Sequence, residues 1–379
     1  MHKPPTNDSP LAAHPVQQMI DQIEYSLTQL EPFSLAKLGQ QIGYSPFYCS
    51  FLFHHHTGIS IKKYTLLRKM LLAAACLSET DERIIDIAIQ YGYSSQAAFA
   101  RAFKELFGIT PAAYRQHPQP LQMYAKRNVK GSEVKMQIDT TISETIWRLQ
   151  NQVEQLHEHD LLNVLNGQFM YERFQSHQWM GASDYVPFNE AMCVHEVTDY
   201  LFDASFCAVR AAGHGSTLAQ YEQIVLKPLH KLFAHLHEYT CVVLWFGDDL
   251  FCQLNLLTML AYLEQQHYRG TVYFNTVQEQ TYEVQQTEMQ LGSFASLYEQ
   301  VLLHHQMPQQ QLLPVMYQSI RLYIQLQQPD NELHRYIVAH ADTDEHELVR
   351  NMLTLFTHYG FGDTQYIEMI RYVRGEVRE

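Results

Sequence analysis

The chain has 379 residues, of which 46% are hydrophobic and 12% aromatic, a length and composition typical of a folded protein with two domains. It contains no run of 18 apolar residues, and its N-terminus lacks the apolar segment of an export signal, so we expect no membrane partner. The six cysteines are scattered without a Cys-x-x-Cys pair. This spacing favours reduced thiols and a cytoplasmic location over a disulfide framework.

Charge is divided unevenly along the chain. Residues 1–128 carry 12 Lys and Arg against 9 Asp and Glu, whereas residues 129–379 carry 14 against 31. Basic side chains neutralise DNA phosphates and acidic ones are repelled by them, so any contact with nucleic acid is expected in the first part.

The N-terminal segment is expected to contain one helix. Residues 1–13 are rich in proline and are predicted to lack structure, whereas apolar residues recur at helical spacing over 14–30 and stop at Glu31-Pro32. Ser34 is the expected N-cap of the next short helix.

A pattern with a period of 50 residues dominates the stretch 35–115. Five residues of the first copy correspond to identical or similar residues of the second: Phe53, Gly58, Ile59, Ser60 and Tyr64 match Phe103, Gly108, Ile109, Thr110 and Tyr114. Each copy indicates a helix, a turn with glycine and an aromatic residue, and a second helix that can lie in a major groove. We therefore predict an all-α domain with two helix–turn–helix units over residues 1–116.

The second copy carries the more specific motif, which runs from Ile84-x-x-Ile87-Ala88 through Gly92-Tyr93 to Thr110-Pro111. The segment resembles the DNA-binding domain of the AraC/XylS family of bacterial transcription regulators. The resemblance covers about a quarter of the chain and implies double-stranded DNA and RNA polymerase as partners. The expected DNA-contacting residues are Phe47, Tyr48 and Ser50 in the first unit, and Gln96, Ala97, Ala100, Arg101 and Lys104 in the second.

The predicted first recognition helix, 45–56, departs from the family pattern. Phe51 stands where the family commonly has arginine, and three histidines, 54–56, replace the usual lysine pair. Arginine pairs bidentately with guanine and phenylalanine cannot. Phe51 is therefore either a core residue or an outward one, and the second helix is expected to supply most of the base contacts.

Basic residues also lie between and after the two units. The predicted connecting helix, 60–77, carries four of them, which either reach phosphates or only solvate the helix: Lys62, Lys63, Arg68 and Lys69. Residues 117–135 combine proline, glycine and further basic residues, and we expect an exposed linker near the DNA backbone. After it, five apolar residues at 4-3-4-3 spacing over 142–156 predict a helix that either packs on its own domain or forms a dimer seam.

From residue 136 onward the periodicity predicts an α/β domain. Short apolar runs at 191–197, 241–246 and 271–274 indicate strands, and long helical patterns cover 218–238 and 250–266. Such alternation is typical of a mostly parallel sheet. The residues from Leu312 onward are predicted to be helical. The expected fold is thus multidomain, with the all-α domain, the linker 117–135 and an α/β domain over 136–379.

The sequence Trp245-Phe246-Gly247-Asp248-Asp249 is predicted to end a strand just before a helix. Ligands of parallel sheets bind at the carboxyl ends of the strands, so Asp248, Asp249 and Asn255 are candidate ligand contacts. The alternative is that an aspartate only caps the helix. This region also resembles a family of bacterial α/β domains of unknown function.

No P-loop, G-x-G-x-x-G or G-x-S-x-G motif occurs, and the histidine pairs are poorly spaced for chelation, so we predict no enzyme, cofactor or metal. The sequence is interpreted as a DNA-binding transcription regulator whose C-terminal domain senses a small-molecule effector or a partner protein. The alternative to a monomer is a homodimer formed through the seam over 142–156. The competing interpretation is an enzyme or interaction scaffold tethered to DNA.

Overall fold

The computed structural model describes residues 10–31, 33–122, 135–158, 160–278 and 283–375. The chain folds into two compact units. The first comprises residues 1–118, 123–135 and 354–356, and the second comprises residues 119–122, 136–353 and 357–379. In the described part of the chain, no helix is both long enough and apolar enough to cross a membrane.

The first unit is built from α-helices. They are α1 (Pro10–Thr28), α2 (Leu35–Ile42), α3 (Pro46–Thr57), α4 (Ile61–Glu79), α5 (Ile84–Gln90), α6 (Gln96–Phe107) and α7 (Pro111–Gln116). Since α1 begins at Pro10, the expectation that residues 10–13 lack structure is wrong, and residues 1–9 lie outside the described residues. The predicted recognition and connecting helices are confirmed as α3 and α4, shifted by one or two residues at their ends.

Two helix pairs, α2–α3 and α5–α6, repeat the same backbone features. The turn of each pair contains a glycine with positive φ, Gly43 at +81° and Gly92 at +84°, a conformation that glycine adopts without steric cost. Helix α1 packs its predicted apolar stripe inward, with Val16, Met19 and Ile20 fully buried. The apolar face of α1 therefore closes the core over the first helix pair.

The second unit contains a five-stranded sheet in the order β2-β1-β3-β4-β5. The strands are β1 (Leu161–Leu165), β2 (Asp184–Pro187), β3 (Cys241–Gly247), β4 (Thr271–Gln278) and β5 (Glu283–Glu288). The first four pair in parallel and β5 is antiparallel to β4. The mostly parallel sheet and the strands at 241–246 and 271–274 are confirmed. The predicted strand at 191–197 is wrong: those residues form an irregular segment between β2 and the next helix.

The remaining helices follow α7 along the chain. They are α8 (Lys135–Leu156), α9 (Gly167–Ser176), α10 (Ala204–Gly213), α11 (Leu218–Tyr221), α12 (His230–His235), α13 (Leu250–Gln265), α14 (Phe294–Tyr298), α15 (Pro314–Leu326), α16 (Glu332–Ala339), α17 (Glu345–Leu355) and α18 (Asp363–Val373). The helix predicted over 218–238 is interrupted, because a π-helical segment at 222–226 and turns separate α11 from α12. The helical C-terminus predicted from Leu312 is confirmed.

The apolar seam of α8 packs inside the second unit. Ile142, Ile146 and Val153 are buried and belong to one cluster with Phe174 and Trp245. Packing on its own domain is therefore the arrangement that the structure shows. The last residue of the predicted seam, Leu156, is 71% exposed.

The expectation of an exposed linker is wrong for residues 120–122. The backbone nitrogen of Gln122 donates to Oε1 of Gln318 at 2.8 Å, and its side chain donates to the carbonyl of His358 at 3.0 Å. Leu121 and Gln122 are buried, because their apolar and amide groups pack on the second unit. Residues 123–134, which include the predicted basic residues Lys126, Arg127 and Lys130, lie outside the described residues.

Candidate functional site

The outward face of α6 carries the residues predicted for the second recognition helix. Gln96, Ala97, Arg101 and Lys104 are exposed and Ala100 is half-buried. At spacings of one, four, five and eight residues these side chains form one stripe along the helix. Within the described part of the chain, the side chains of Arg101 and Lys104 make no hydrogen bond or ion pair, so both cations are available to an external partner.

The opposite face of α6 explains why this stripe is held outward. Phe99, Phe103 and Phe107 are fully buried, and the ring centroids of Phe103 and Phe107 are 4.7 Å apart. The helix begins at the N-cap Ser95, whose hydroxyl accepts a hydrogen bond from the backbone nitrogen of Ala98. The cap and the aromatic core together fix the rotation of the helix about its axis.

The outward face of α3 is aromatic. Phe47 is 83% exposed and Phe51 55% exposed, and Tyr48 is also exposed, whereas Ser50 is half-buried. The rings form a ladder, because Phe51 stacks on Tyr48 at 6.3 Å and on His55 at 5.9 Å. Of the two interpretations of Phe51, core and outward, the structure shows the outward one.

One of the four basic residues of α4 is engaged internally. Arg68 donates two hydrogen bonds to the carboxylate of Glu24 on α1, at 2.8 and 2.9 Å, and the hydroxyl of Tyr64 donates to the same carboxylate at 2.7 Å. Lys62 and Lys63 are exposed and Lys69 is half-buried. Arg68 therefore joins α4 to α1.

In the second unit, the predicted strand-end residues lie after β3 and on α13. Asp249 is the N-cap of α13, and its Oδ1 accepts a hydrogen bond from the backbone nitrogen of Cys252 at 2.8 Å. Asn255 is fully buried; it donates to Asn166 and to the carbonyl of Glu190, and accepts from the backbone nitrogen of Met192. Asn255 thus fixes the segment after β2. Asp248 is half-buried, and a ligand contact at Asp248, Asp249 or Asn255 stays a prediction.

A buried ionic cluster lies beside these residues at the carboxyl edge of the sheet. The Oε1 of Glu190 accepts hydrogen bonds from Arg210 and His214, each at 2.7 Å, and its Oε2 accepts one from Tyr221 at 2.5 Å. The side chains of Glu190 and Arg210 are both 0% exposed. Burial alone would raise the pKa of Glu190, but the hydrogen bonds from His214 and Arg210 and the charge of Arg210 outweigh it and hold the pKa well below its usual value.

This cluster borders a cavity of about 340 Å³ whose walls include Phe188, Glu190, His214, Tyr221 and Phe251. Sequence reasoning missed the cluster, because its members are separated by up to 31 residues and each alone resembles a surface side chain. The π-helical segment that directly follows Tyr221 is the type of irregularity that often marks a functional site.

Comparisons with known proteins identify the first unit. A helix–turn–helix domain family matches residues 38–117. The chain is 35% identical over 107 residues to the probable transcription factor PqrA of Proteus vulgaris, which covers 28% of this chain and 88% of PqrA. It is 36% identical over 100 residues to the multiple antibiotic resistance protein MarA of Salmonella typhimurium, covering 26% of this chain and 77% of MarA.

Among solved structures, the C-terminal domain of the response regulator yesN from Fusobacterium nucleatum is 32% identical, with a TM-score of 0.24; the match covers 26% of this chain and 93% of that one. The matched domain and the curated relatives define a helix–turn–helix protein. The chain belongs to the AraC/XylS family of transcription regulators, with the family domain in its N-terminal part.

Proposed function

We propose that this protein is a sequence-specific transcription regulator whose two helix–turn–helix units bind double-stranded DNA, with α6 contacting most of the bases. The observation that carries the proposal is the exposed stripe on α6, in which the side chains of Gln96, Arg101 and Lys104 make no internal hydrogen bond in the described part of the chain. Glutamine pairs with adenine and arginine with guanine in the major groove. Lys104 is suited to a phosphate.

Helix α3 is proposed to bind the groove by a different chemistry. Its twelve residues, Pro46–Thr57, include neither lysine nor arginine, so it cannot form the bidentate contact with guanine. Exposed Phe47 and Phe51 offer apolar surface instead, which suits the methyl group of thymine. Tyr48 and Ser50 can donate hydrogen bonds to phosphates or base edges.

The second unit is proposed to sense a small-molecule effector or a partner protein. This proposal is supported by the cavities of the unit and by the buried ionic cluster at the carboxyl edge of its sheet, where parallel sheets bind ligands. RNA polymerase is proposed as a further partner on the basis of family membership. An effector would act by binding more tightly to one of two states of the regulator.

Selection of duplex DNA from a random library by the full chain tests the DNA-binding proposal. We expect one enriched sequence for the wild type and relaxed preference at one position for Arg101→Ala. Arg148→Ala, an exposed arginine of α8 in the second unit, is the matched control and should enrich the wild-type sequence. An Arg101→Ala protein that selects the wild-type sequence unchanged would contradict base contact by Arg101.

A further inference from the structure

The second unit contains an open cavity of about 840 Å³, distinct from the one beside the buried ionic cluster. Its walls come from the segment after β2 and from α15, α16 and α18. The floor is apolar, because Cys193, Leu302, Leu333 and Ile337 are buried there. A cavity of this size, with an apolar floor, is of the kind that holds small organic ligands.

The formal charge of the cavity lining, with histidine counted as neutral, is negative. Glu196 from the segment after β2 and Glu368 from α18 are exposed at the cavity, and no lysine or arginine is among the described residues that line it. Neither carboxylate makes a hydrogen bond or ion pair within the described ranges. The two acidic groups therefore face the cavity from different elements without a cation that neutralises them.

A tyrosine hydroxyl without an internal partner lines the same cavity. Tyr323 of α15 is only 4% exposed and lines the cavity, yet its hydroxyl has no hydrogen-bond partner in the described part of the chain. A hydroxyl that borders the cavity without an internal partner can form a hydrogen bond with an occupant. The rings of Tyr323 and Tyr372 also line the cavity, and aromatic rings attract cations.

The buried ionic cluster fixes one wall of the cavity. Arg210 donates hydrogen bonds to the carbonyls of Val194 at 2.6 Å and Glu196 at 3.2 Å. Arg210 therefore holds the backbone of the segment that contains Glu196. His195, between them, is held in the left-handed region with φ +64°. Burial, together with the charges of His214 and Arg210, lowers the pKa of His195 to about 4, so its ring adds no positive charge at neutral pH.

We propose that this cavity binds an organic cation, whose apolar body lies on the floor and whose ammonium group pairs with Glu196 and Glu368. The inference rests on the effector-binding part of the proposed function and names the ligand class. An anion would approach two uncompensated carboxylates, and this repulsion disfavours it. A bound metal ion is not favoured either, because the described residues contain no group of three His, Cys, Asp or Glu side chains arranged to hold one.

Titration calorimetry on the full chain with three probes of similar size tests the ligand class. The probes are 2-phenylethylamine, which is a cation at neutral pH, 2-phenylethanol, which is neutral, and phenylacetate, which is an anion. We expect the amine to bind at least about tenfold more tightly than the alcohol or the acid. Equal binding of the three probes, or no binding of the amine, would overturn the proposal.

Variants locate the binding in this cavity. The double change Glu196→Gln with Glu368→Gln should remove the preference for the amine and leave 2-phenylethanol binding unchanged. The control is Asp199→Asn with Asp342→Asn, which removes two exposed carboxylates outside the cavity and should keep the preference. Retention of the preference by the double glutamine variant would overturn the proposal.

A second measurement separates this inference from the proposed regulation. The affinity of the full chain for its selected DNA is compared with and without 2-phenylethylamine. A change in affinity supports both the cavity and its effector role. If calorimetry shows specific amine binding and the DNA affinity is the same, the cavity assignment holds and the effector role of the second unit is wrong.

Discussion

Helices α3 and α6 have the same backbone design and opposite outward chemistry. Each has twelve residues, a serine N-cap and a glycine C-cap with positive φ, +70° at Gly58 and +75° at Gly108. Each buries a phenylalanine at the same place in the repeat, Phe53 and Phe103. The outward position two residues earlier is Phe51 in α3 and an arginine in α6.

The comparison separates the residues that make the fold from those that make the contact. Both copies keep the cap, the glycine and the buried ring, because the helix ends and the core need them. The outward residues make few contacts within the protein, so their chemistry can change without altering the helix. The two helices therefore provide matched positions at which stability and DNA binding can be tested separately.

The largest expected contrast lies between a buried and an exposed phenylalanine. Phe103→Ala should lower the free energy of unfolding by about 3–5 kcal/mol, since it leaves a cavity among aromatic rings. Phe51→Ala should change it by no more than about 0.5 kcal/mol, because that side chain is exposed. Urea unfolding of the full chain measures both. A comparable loss in the two variants would mean that Phe51 supports the core after all.

A second contrast concerns DNA affinity at equivalent outward positions. Arg101→Ala should weaken binding to the selected sequence by about 1–3 kcal/mol, because a bidentate contact with guanine is lost. Random-sequence binding should be affected much less. Fluorescence anisotropy with both duplexes measures the difference. An equal loss on the two duplexes would show that Arg101 contacts only phosphate.

The N-cap serines of α3 and α6 should contribute equally to the stability of the protein. Ser45→Ala and Ser95→Ala each remove a hydroxyl that accepts a hydrogen bond from the backbone nitrogen three residues on, and each should cost about 1 kcal/mol of stability. Replacement of either serine by aspartate should preserve most of the stability. Thermal unfolding of the four variants checks this, and a loss confined to one copy would break the structural equivalence of the helices.

The smallest expected effect tests the apolar chemistry of α3. Replacing thymines of the selected site with deoxyuridine removes only a methyl group, which is worth about 0.8 kcal/mol or roughly a fourfold change in affinity. The loss should occur only in the half-site that α3 contacts, and should disappear in the Phe47→Ala, Phe51→Ala double variant. Anisotropy with singly substituted duplexes measures it. Identical affinities for thymine and deoxyuridine in that half-site would exclude methyl contact.

The sequence predicted the first unit well because its signals are local. Serine before a helix, glycine after it and aromatic residues at a repeated spacing act within a few residues of each other, and they placed α3 and α4 within two residues of their observed ends. Phe51 was left open between core and outward positions, because its apolar character is compatible with both. Its exposure depends on the rotation of α3, which the cap and Phe53 determine.

Prediction failed where distant contacts decide the conformation. The apolar run 191–197 resembles a strand, but its carbonyls accept hydrogen bonds from Arg210 and Asn255 donates to the neighbouring Glu190. The five-residue strand β1 is buried throughout, so it shows none of the alternation that reveals a half-exposed strand. The ionic cluster could not be predicted from the sequence either, because only folding brings Glu190 to Arg210.

The antiparallel strand β5 also has a consequence for behaviour at high concentration. An edge strand offers unpaired backbone groups to another molecule, and long apolar edges promote aggregation. Here one edge of the sheet is the strand Glu283–Glu288, which is rich in glutamine and glutamate, and the other is the four-residue β2, which ends in proline. Like charges repel an approaching copy at one edge, and the shortness of β2 limits pairing at the other, so the sheet is protected against edge-to-edge fibril growth.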